Sequence, residues 1–260
     1  MSLPRQLPPR RRSRAALWAW RLALFALLVF TLSLYGHRSA RIDALSFLSV
    51  LFVTGVLSAT AFLLSLRGLR RLWTEGEKGG LRSLAALAVS CLLLVPYAFA
   101  IWGVATMPAM NDISTDLEDP PVFAQAARIR TPAMSQFATF DEDYAARQLA
   151  AFPDVTGRRY EGAADRVHAA VIQLIDDRGW TVTSRTGRPG EDTELSVEAE
   201  MTTPFFAFPN DVVVRISEEE TTTYVDMRSA ARYGVYDFGA NANLIVAFLR
   251  DLDLMLSAGG

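Results

Sequence analysis

The longest apolar stretches of this 260-residue chain lie in its first 107 residues. Two of them, residues 44–66 and residues 84–107, contain no charged residue. A bilayer core about 30 Å thick needs about 20 apolar residues of helix, because lipid tails cannot satisfy backbone polar groups. Both stretches are therefore predicted to be transmembrane helices.

A third stretch, residues 15–35, is interrupted by Arg21 near its beginning. A long basic side chain at that position can extend to the membrane surface. A basic start before a short apolar run is also typical of a cleaved signal peptide. However, the residues after Tyr35 lack the small-residue cleavage pattern, and two further spans follow. The sequence favours a retained span, which gives a three-helix membrane region over residues 15–108.

Residues 109–156 are predicted to form an acidic juxtamembrane linker that also covers the following domain. Its first part, Asn111 to Pro121, reads as an extended strut because two consecutive prolines disfavour helix. The four carboxylates of this part could gather a hard cation, but the glycine and closing glutamate of a calcium loop are missing. A solvated linker without metal is favoured. A short helix is expected within residues 143–151.

Regular periodicity begins after residue 157. Apolar residues recur at helical spacing within residues 163–178 and again within residues 240–256. Between them, apolar and polar residues alternate as in strands that have one buried face. These strands are predicted at residues 181–185, 194–201, 211–217 and 221–229. The pattern indicates an α+β two-layer domain over residues 157–260, with both helices on the apolar face of an antiparallel sheet and the other face open.

Charge is divided between the two parts of the chain. Residues 1–110 contain 13 basic and 3 acidic residues, whereas residues 111–260 contain 13 basic and 25 acidic residues. This division excludes an evenly soluble globule and favours a membrane part joined to an aqueous part. Basic residues flank the spans unequally. Residues 1–14 and residues 67–82 each contain five, whereas the first loop contains only Arg38 and Arg41. The positive-inside rule predicts a multi-pass protein of the cytoplasmic (inner) membrane, with its N-terminus in the cytoplasm and its acidic domain outside.

Composition excludes several kinds of site. Cys91 is the only cysteine, so there is neither a disulfide framework nor a cysteine zinc cluster. His168 is expected to be a partly exposed helix residue. The acidic excess of the C-terminal part opposes nucleic-acid binding. No cofactor, metal or catalytic residue is predicted, and membrane lipids are the expected surroundings of the spans.

The candidate binding site lies between the last strand and the last helix. Arg228 and Arg232 precede a turn rich in glycine and tyrosine, and a helix N-terminus can attract an anion. Asp226, Asp237 and Asn241 complete the group. These five residues are predicted to bind a small anionic ligand, a lipid head group or an envelope protein. The alternative is structural, with Arg228 paired to Asp226 or Asp237.

The same stretch resembles a known family. Residues 228–241 are similar to the signature R-S-A-S-R-x-G-x-x-D-x-G-x-N-R of a widespread bacterial family, domain-of-unknown-function family fourteen ninety-nine. Residues 111–115 occupy the place of its opening Asn-Cys-Val-Ser-Ser motif. Three positions depart from the family pattern: Ala231 replaces a serine, Ala242 replaces an arginine, and the motif cysteine is absent. The resemblance implies the domain and no particular reaction.

Function is therefore left between three classes. The leading hypothesis is a non-enzymatic membrane protein that displays a binding domain outside the cytoplasm. The second is an envelope enzyme that uses Asp226 or Asp237 as its acid or base. The third is an assembly subunit of a membrane complex, with the spans as its interface.

Overall fold

The computed structural model describes residues 11–258 and has two compact units that divide between Trp102 and Gly103. The first unit contains α1 (Arg14–Arg38), α2 (Ala44–Glu75) and most of α3 (Gly80–Thr106). All three helices are long and apolar enough to cross a membrane, and each contains an 18-residue stretch with a mean hydropathy of 1.9, 2.2 and 2.4, respectively. The prediction of three long apolar helices is confirmed. Most of the basic tail lies outside the described residues.

Small residues line the contacts among these helices. Ala19 and Ala23 of α1, Ala61 of α2 and Ala86 of α3 form one buried cluster. Short side chains let helix backbones approach closely, which is how helices associate where no hydrophobic effect drives them together. The N-terminal unit is therefore a packed bundle.

The second unit forms an α+β domain, and every helix and strand expected after residue 157 is present within a few residues of its predicted bounds. Its elements are β1 (Asp112–Ser114), α4 (Gln125–Ile129), α5 (Glu142–Ala151), β2 (Arg158–Glu161), α6 (Ala164–Asp177), β3 (Thr181–Thr186), β4 (Glu194–Thr202), β5 (Pro209–Glu219), β6 (Thr222–Ala231) and α7 (Ala240–Ala258).

The strands form one antiparallel sheet in the order β1-β6-β5-β4-β3, and β2 also pairs with β6. β1 pairs with the C-terminal part of β6 and β2 with its N-terminal part, so the two short strands share one edge. These two strands were not predicted as such. The first of them lies within the predicted strut, which is therefore partly a strand of the sheet.

The main core lies between one face of the sheet and the helices α6 and α7. The inward residues of β4, β5 and β6 are the ones that their alternation predicts, and they pack with the apolar stripes of both helices. Gly179 follows the end of α6 with φ +66°, the left-handed conformation that commonly terminates a helix. Both predicted helices thus lie on the predicted face.

The second face of the sheet is covered, and the expectation of an open face was wrong. Residues 115–140, here called the strap, cross this face. Phe123 and Ala126 of the strap pack against Val213 of β5 and Ala230 of β6. Val213 alternates with the core residues of β5 and would otherwise expose an apolar side chain to water. The domain therefore has a second, smaller hydrophobic layer.

Candidate functional site

The five predicted site residues lie where β6 ends and the chain turns into α7. Asp226 and Arg228 point from β6 toward the strap, as their spacing of two residues predicts. Arg232 follows the strand, and Asp237 and Asn241 lie at the beginning of α7. The fold brings the five into one region, where the carboxylate of Asp237 accepts a hydrogen bond from the backbone N–H of Asn241, while Asp226, Arg228 and Arg232 contact other residues.

Arg228 is buried and forms an ion pair with Asp112 of β1. Its Nε donates to Asp112 Oδ1 over 2.9 Å and its Nη2 to Oδ2 over 2.7 Å. Its remaining donors reach carbonyl oxygens of the strap at Pro121 and Ala138. Three phenylalanine rings of the strap, Phe123, Phe137 and Phe140, lie 4.9 to 5.4 Å from the guanidinium carbon. The guanidinium is thus enclosed by protein and its ionic partner is neither Asp226 nor Asp237.

Arg232 is also buried in a charged cluster. Its Nε and Nη2 donate to Asp211 Oδ1 over 3.0 and 2.6 Å, and Nη2 also donates to Glu200 over 2.6 Å. Burial lowers the pKa of Arg232, but its hydrogen bonds with Asp211 and Glu200 outweigh burial and leave the pKa above its usual value. Asp211 accepts from Arg130 of the strap as well. One carboxylate therefore joins the end of β6 to the strap.

Asp237 caps the beginning of α7. Its carboxylate accepts hydrogen bonds from the backbone N–H groups of Gly239 and Asn241 over 2.9 and 2.8 Å. Burial raises the pKa of Asp237, and the backbone hydrogen bonds offset this only in part. The aspartate stabilises the helix end where an anion was expected to bind.

Asn241 is fully buried and joins three segments of the domain. Its Oδ1 accepts hydrogen bonds from Asn210 and Ser229 over 2.7 Å each, and its Nδ2 donates to the carbonyl of Asn111 over 2.8 Å. The first helical turn of α7 is thereby fixed to β5, to β6 and to the residue before β1. These three side-chain hydrogen bonds of Asn241 are all made with residues of the domain.

Asp226 lines a groove. Its Oδ1 accepts from the hydroxyl of Thr115 over 2.8 Å, and its Oδ2 lies 3.4 Å from Nη2 of Arg215. The groove has a volume of about 590 Å³ and lies between the start of the strap and α5. Asp116, Glu118 and further carboxylates surround it. This concave surface is acidic, so it is unsuited to an anion.

The partners of the arginines were missed by the sequence reasoning. Asp112 is predicted from the sequence to lie in the solvated linker, at the position where the resemblance implies a cysteine. Asp211 and Glu200 lie on the polar sides of their strands, which is the one signal that they face the strap.

Tyr144 of α5 also contacts the first edge strand. Burial, together with the charge of Asp112, raises the pKa of Tyr144 to about 12, and the Tyr144 hydroxyl donates to the Asp112 carbonyl over 2.7 Å.

Two further predicted features can be placed. The acidic strut does not gather its carboxylates around a common point: Asp116 and Asp119 each form an ion pair with Arg215 over 2.7 Å, while Asp112 belongs to Arg228. Among residues 11–258, no group of three or more His, Cys, Asp or Glu residues has an arrangement that could hold a metal ion. Three of the four carboxylates of the strut are therefore paired with arginines.

The fold and the site define a class of protein: an α+β domain, braced by buried ion pairs, that follows three helices able to span a membrane. A family model described as "Protein of unknown function (DUF1499)" matches residues 112–252, and the chain belongs to this family. No curated protein matches the chain. The match covers the domain from β1 into α7, so β1 and the strap are part of the family domain.

Proposed function

We propose that this protein is a three-span protein of the cytoplasmic (inner) membrane that displays its family domain outside the cytoplasm as a binding module for an envelope protein. The observation that carries the proposal is the enclosure of the signature arginines. Arg228 and Arg232 are buried and bonded to Asp112, Asp211 and Glu200, as a rigid recognition scaffold requires. Three long apolar helices support the membrane location.

The orientation is supported by the distribution of basic residues. The tail before α1 and the end of α2 with the following loop are rich in arginine, whereas the loop between α1 and α2 contains only Arg41 after the end of α1 at Arg38. Short loops rich in basic residues stay in the cytoplasm. With three spans, the acidic domain that follows α3 is then on the opposite side.

An anionic ligand is the less favoured partner. To bind one, Arg228 would have to release Asp112, and removing one partner of a buried ion pair costs about 3–5 kcal/mol. A small anion makes too few contacts to offset that readily. Binding of an anion or lipid head group by Arg228 and Arg232 stays a prediction, and a protein partner fits the enclosed arginines better because it does not need them.

The enzyme alternative requires two properties in one carboxylate, namely a raised pKa and a place in a cleft. Asp237 has the raised pKa, but it caps a helix and does not line the described groove. Asp226 lines the groove, but it is held by Arg215 and Thr115. Because the two properties fall on different residues, a binding role is favoured over catalysis.

Two experiments test the proposal. A reporter active only outside the cytoplasm, fused after Gly260, is expected to be active, and a stable but silent fusion would contradict the orientation. Copurification from native membranes in mild detergent is then compared between the full chain and a chain that ends at Met110. A partner that is lost with the domain supports a binding module. A partner retained by the truncated chain would show that the spans form the interface, which is the assembly-subunit alternative.

A further inference from the structure

Two loops at one end of the sheet carry exposed apolar side chains. The β4–β5 loop contains Phe205, which is 59% exposed, and the β6–α7 loop contains Val235 and Phe238, which are 67% and 38% exposed. In the antiparallel register Thr202 pairs with Pro209, and the next residue of β5, Asn210, pairs with Ala231. The two loops therefore lie beside each other, and are here called the aromatic end.

The chain enters the domain from α3 at this same end. The N–H of Asp237 donates to the carbonyl of Met110 over 3.0 Å, and the N–H of Ala231 donates to the carbonyl of Asn111 over 2.8 Å. The ring of Phe238 packs directly on Gly103 in the last turn of α3, where a Cβ would have no room. The aromatic end is thus next to the last residues of the third span.

The connection limits how far this end can stand from the end of α3. Five residues, 107–111, separate the end of α3 from the beginning of β1. An extended residue spans at most about 3.6 Å, so five residues reach about 18 Å. The head-group region adds roughly 5–8 Å to each side of the hydrocarbon core. A fully extended connection would clear that layer, but the contact of Phe238 with Gly103 keeps the β6–α7 loop at the last turn of α3, so loops at this end can reach the lipid.

Charge separates these loops from the rest of the domain. Residues 111–260 contain 25 acidic residues, but residues 203–208 contain none, and the only one in residues 233–238 is Asp237, which is occupied as a helix cap. An acidic surface is repelled by anionic lipid. Tyrosine is favourable near the membrane surface, and phenylalanine is common on apolar surfaces that enter the head-group boundary. The aromatic end is the part of the domain whose chemistry suits lipid.

Backbone conformation indicates that both loops are held in a defined shape. Ala207 has φ +57° and Phe238 has φ +55°, the left-handed region that non-glycine residues seldom occupy. Such conformations persist where the surroundings impose them, and they are concentrated at functional sites. Each loop has one of these residues, so each loop has a restricted backbone conformation.

We propose that the aromatic end lies in the head-group layer of the membrane that α3 crosses, with Phe205, Val235 and Phe238 at the hydrocarbon boundary. The domain is then fixed against its own membrane, and the opposite end of the sheet is left for a partner. This proposal rests on the three-span reading in the proposed function, and it is independent of which side of the membrane the domain occupies.

The test uses an environment-sensitive nitrobenzoxadiazole label in the full chain, in vesicles of phosphatidylethanolamine and phosphatidylglycerol. On a Cys91→Ala background, single cysteines are placed by Phe205→Cys, Val235→Cys and, as the control, Leu254→Cys. Leu254 is 63% exposed, as apolar and open as Val235, but it lies near the far end of α7. Its neighbour Asp253 accepts a hydrogen bond from Tyr160 of β2, at the opposite end of β6.

Labels at positions 205 and 235 are expected to emit at shorter wavelength and to be quenched several-fold more than the label at 254 by lipids that carry nitroxide on their tails. Emission at 205 and 235 that matches 254 would overturn the proposal. So would a blue shift without lipid quenching, which would indicate a protein partner, and so would quenching confined to one loop. The reporter fusion reads only the side of the membrane, so failure of the orientation is distinguishable from failure of this proposal.

Discussion

Replacing Arg228 by alanine tests whether the signature arginine is a structural brace. The side chains of Arg228 and Asp112 are 9% and 1% exposed and are joined by hydrogen bonds of 2.7 and 2.9 Å. Arg228→Ala would leave the carboxylate of Asp112 buried with the backbone N–H of Ala138 as a remaining partner, at 2.9 Å. Loss of one partner of a buried ion pair costs about 3–5 kcal/mol.

The size of that loss makes it measurable in the full chain. For a domain of this length, about 1 kcal/mol lowers Tm by roughly 2–4 °C, so the variant is expected to unfold some 6–20 °C lower. Hydrogen exchange of β6 amides in detergent micelles locates the loss in the domain. The matched control is Arg188→Ala, which breaks a pair whose side chains are 79% and 65% exposed and should cost below about 1 kcal/mol.

A double-mutant cycle supplies the refutation. Asp112→Ala combined with Arg228→Ala removes both charges, and it should destabilise by about 1–3 kcal/mol less than the sum of the single variants. Additive losses would show that the two residues are not energetically coupled. A loss below about 1 kcal/mol for Arg228→Ala would refute the structural role and return attention to ligand binding by this arginine.

Three other variants probe separate contacts. The carboxylate of Glu198 accepts hydrogen bonds from the backbone N–H groups of residues 124–126 over 2.7 to 3.1 Å. Glu198→Ala should therefore lower the free energy of unfolding by about 1–3 kcal/mol and speed the hydrogen exchange of these amides. Unchanged exchange would contradict the prediction. Burial raises the pKa of Asp237, so the native state binds the carboxyl proton more tightly than the unfolded state does. The stability of the wild type relative to Asp237→Asn should therefore fall as pH rises from the unfolded-state pKa through the native-state pKa. A stability difference that stays constant in unfolding curves across this pH range would contradict the prediction. Gly103→Ala should displace the Phe238 ring at a cost of about 1–3 kcal/mol, measured as a lower Tm, and Phe238→Ala in the same chain should remove most of that effect.

The sheet and its two main helices could be predicted because their signals are local. In β4, Leu195, Val197 and Ala199 alternate with polar residues, and the same three residues are buried in the core. Alternation fixes which side chains face inward without any knowledge of the neighbouring strands. Similarly, a helical stripe identifies its own buried face before its partner is known.

The sequence predicts only that residues 109–156 cover the domain, and the attachment of the strap to the sheet could not be predicted in the same way. The strap has little regular structure beyond the five residues of α4, so it has no long periodicity from which its buried side could be read. Its attachment to the sheet depends on pairs distant in sequence, such as Arg130 with Asp211, which are 81 positions apart. Charges on the outer face of a strand are typical of exposure to water, and one sequence gives no indication that oppositely charged residues will cover them.

The short edge strands were missed for a related reason. β1 has three residues and β2 has four, too few to show an alternation that differs from chance. Their place is set by β6, whose ten residues pair with β5 on one side and leave the other side open for two partners. Because β1 was not recognised, Asp112 was not placed opposite β6, and Arg228 was assigned the wrong candidate partners.

The position of Asp112 indicates how the family signature should be interpreted in this chain. The resemblance places a cysteine at this position in the family, whereas here the carboxylate of Asp112 pairs with the signature Arg228. Asp237 and Asn241, also signature residues, cap α7 and join it to the sheet. A signature whose residues brace a fold specifies the scaffold and leaves recognition to surfaces outside it. For the proposed binding role, specificity is therefore best sought on the exposed parts of the domain, and variants of these residues should alter stability before they alter recognition.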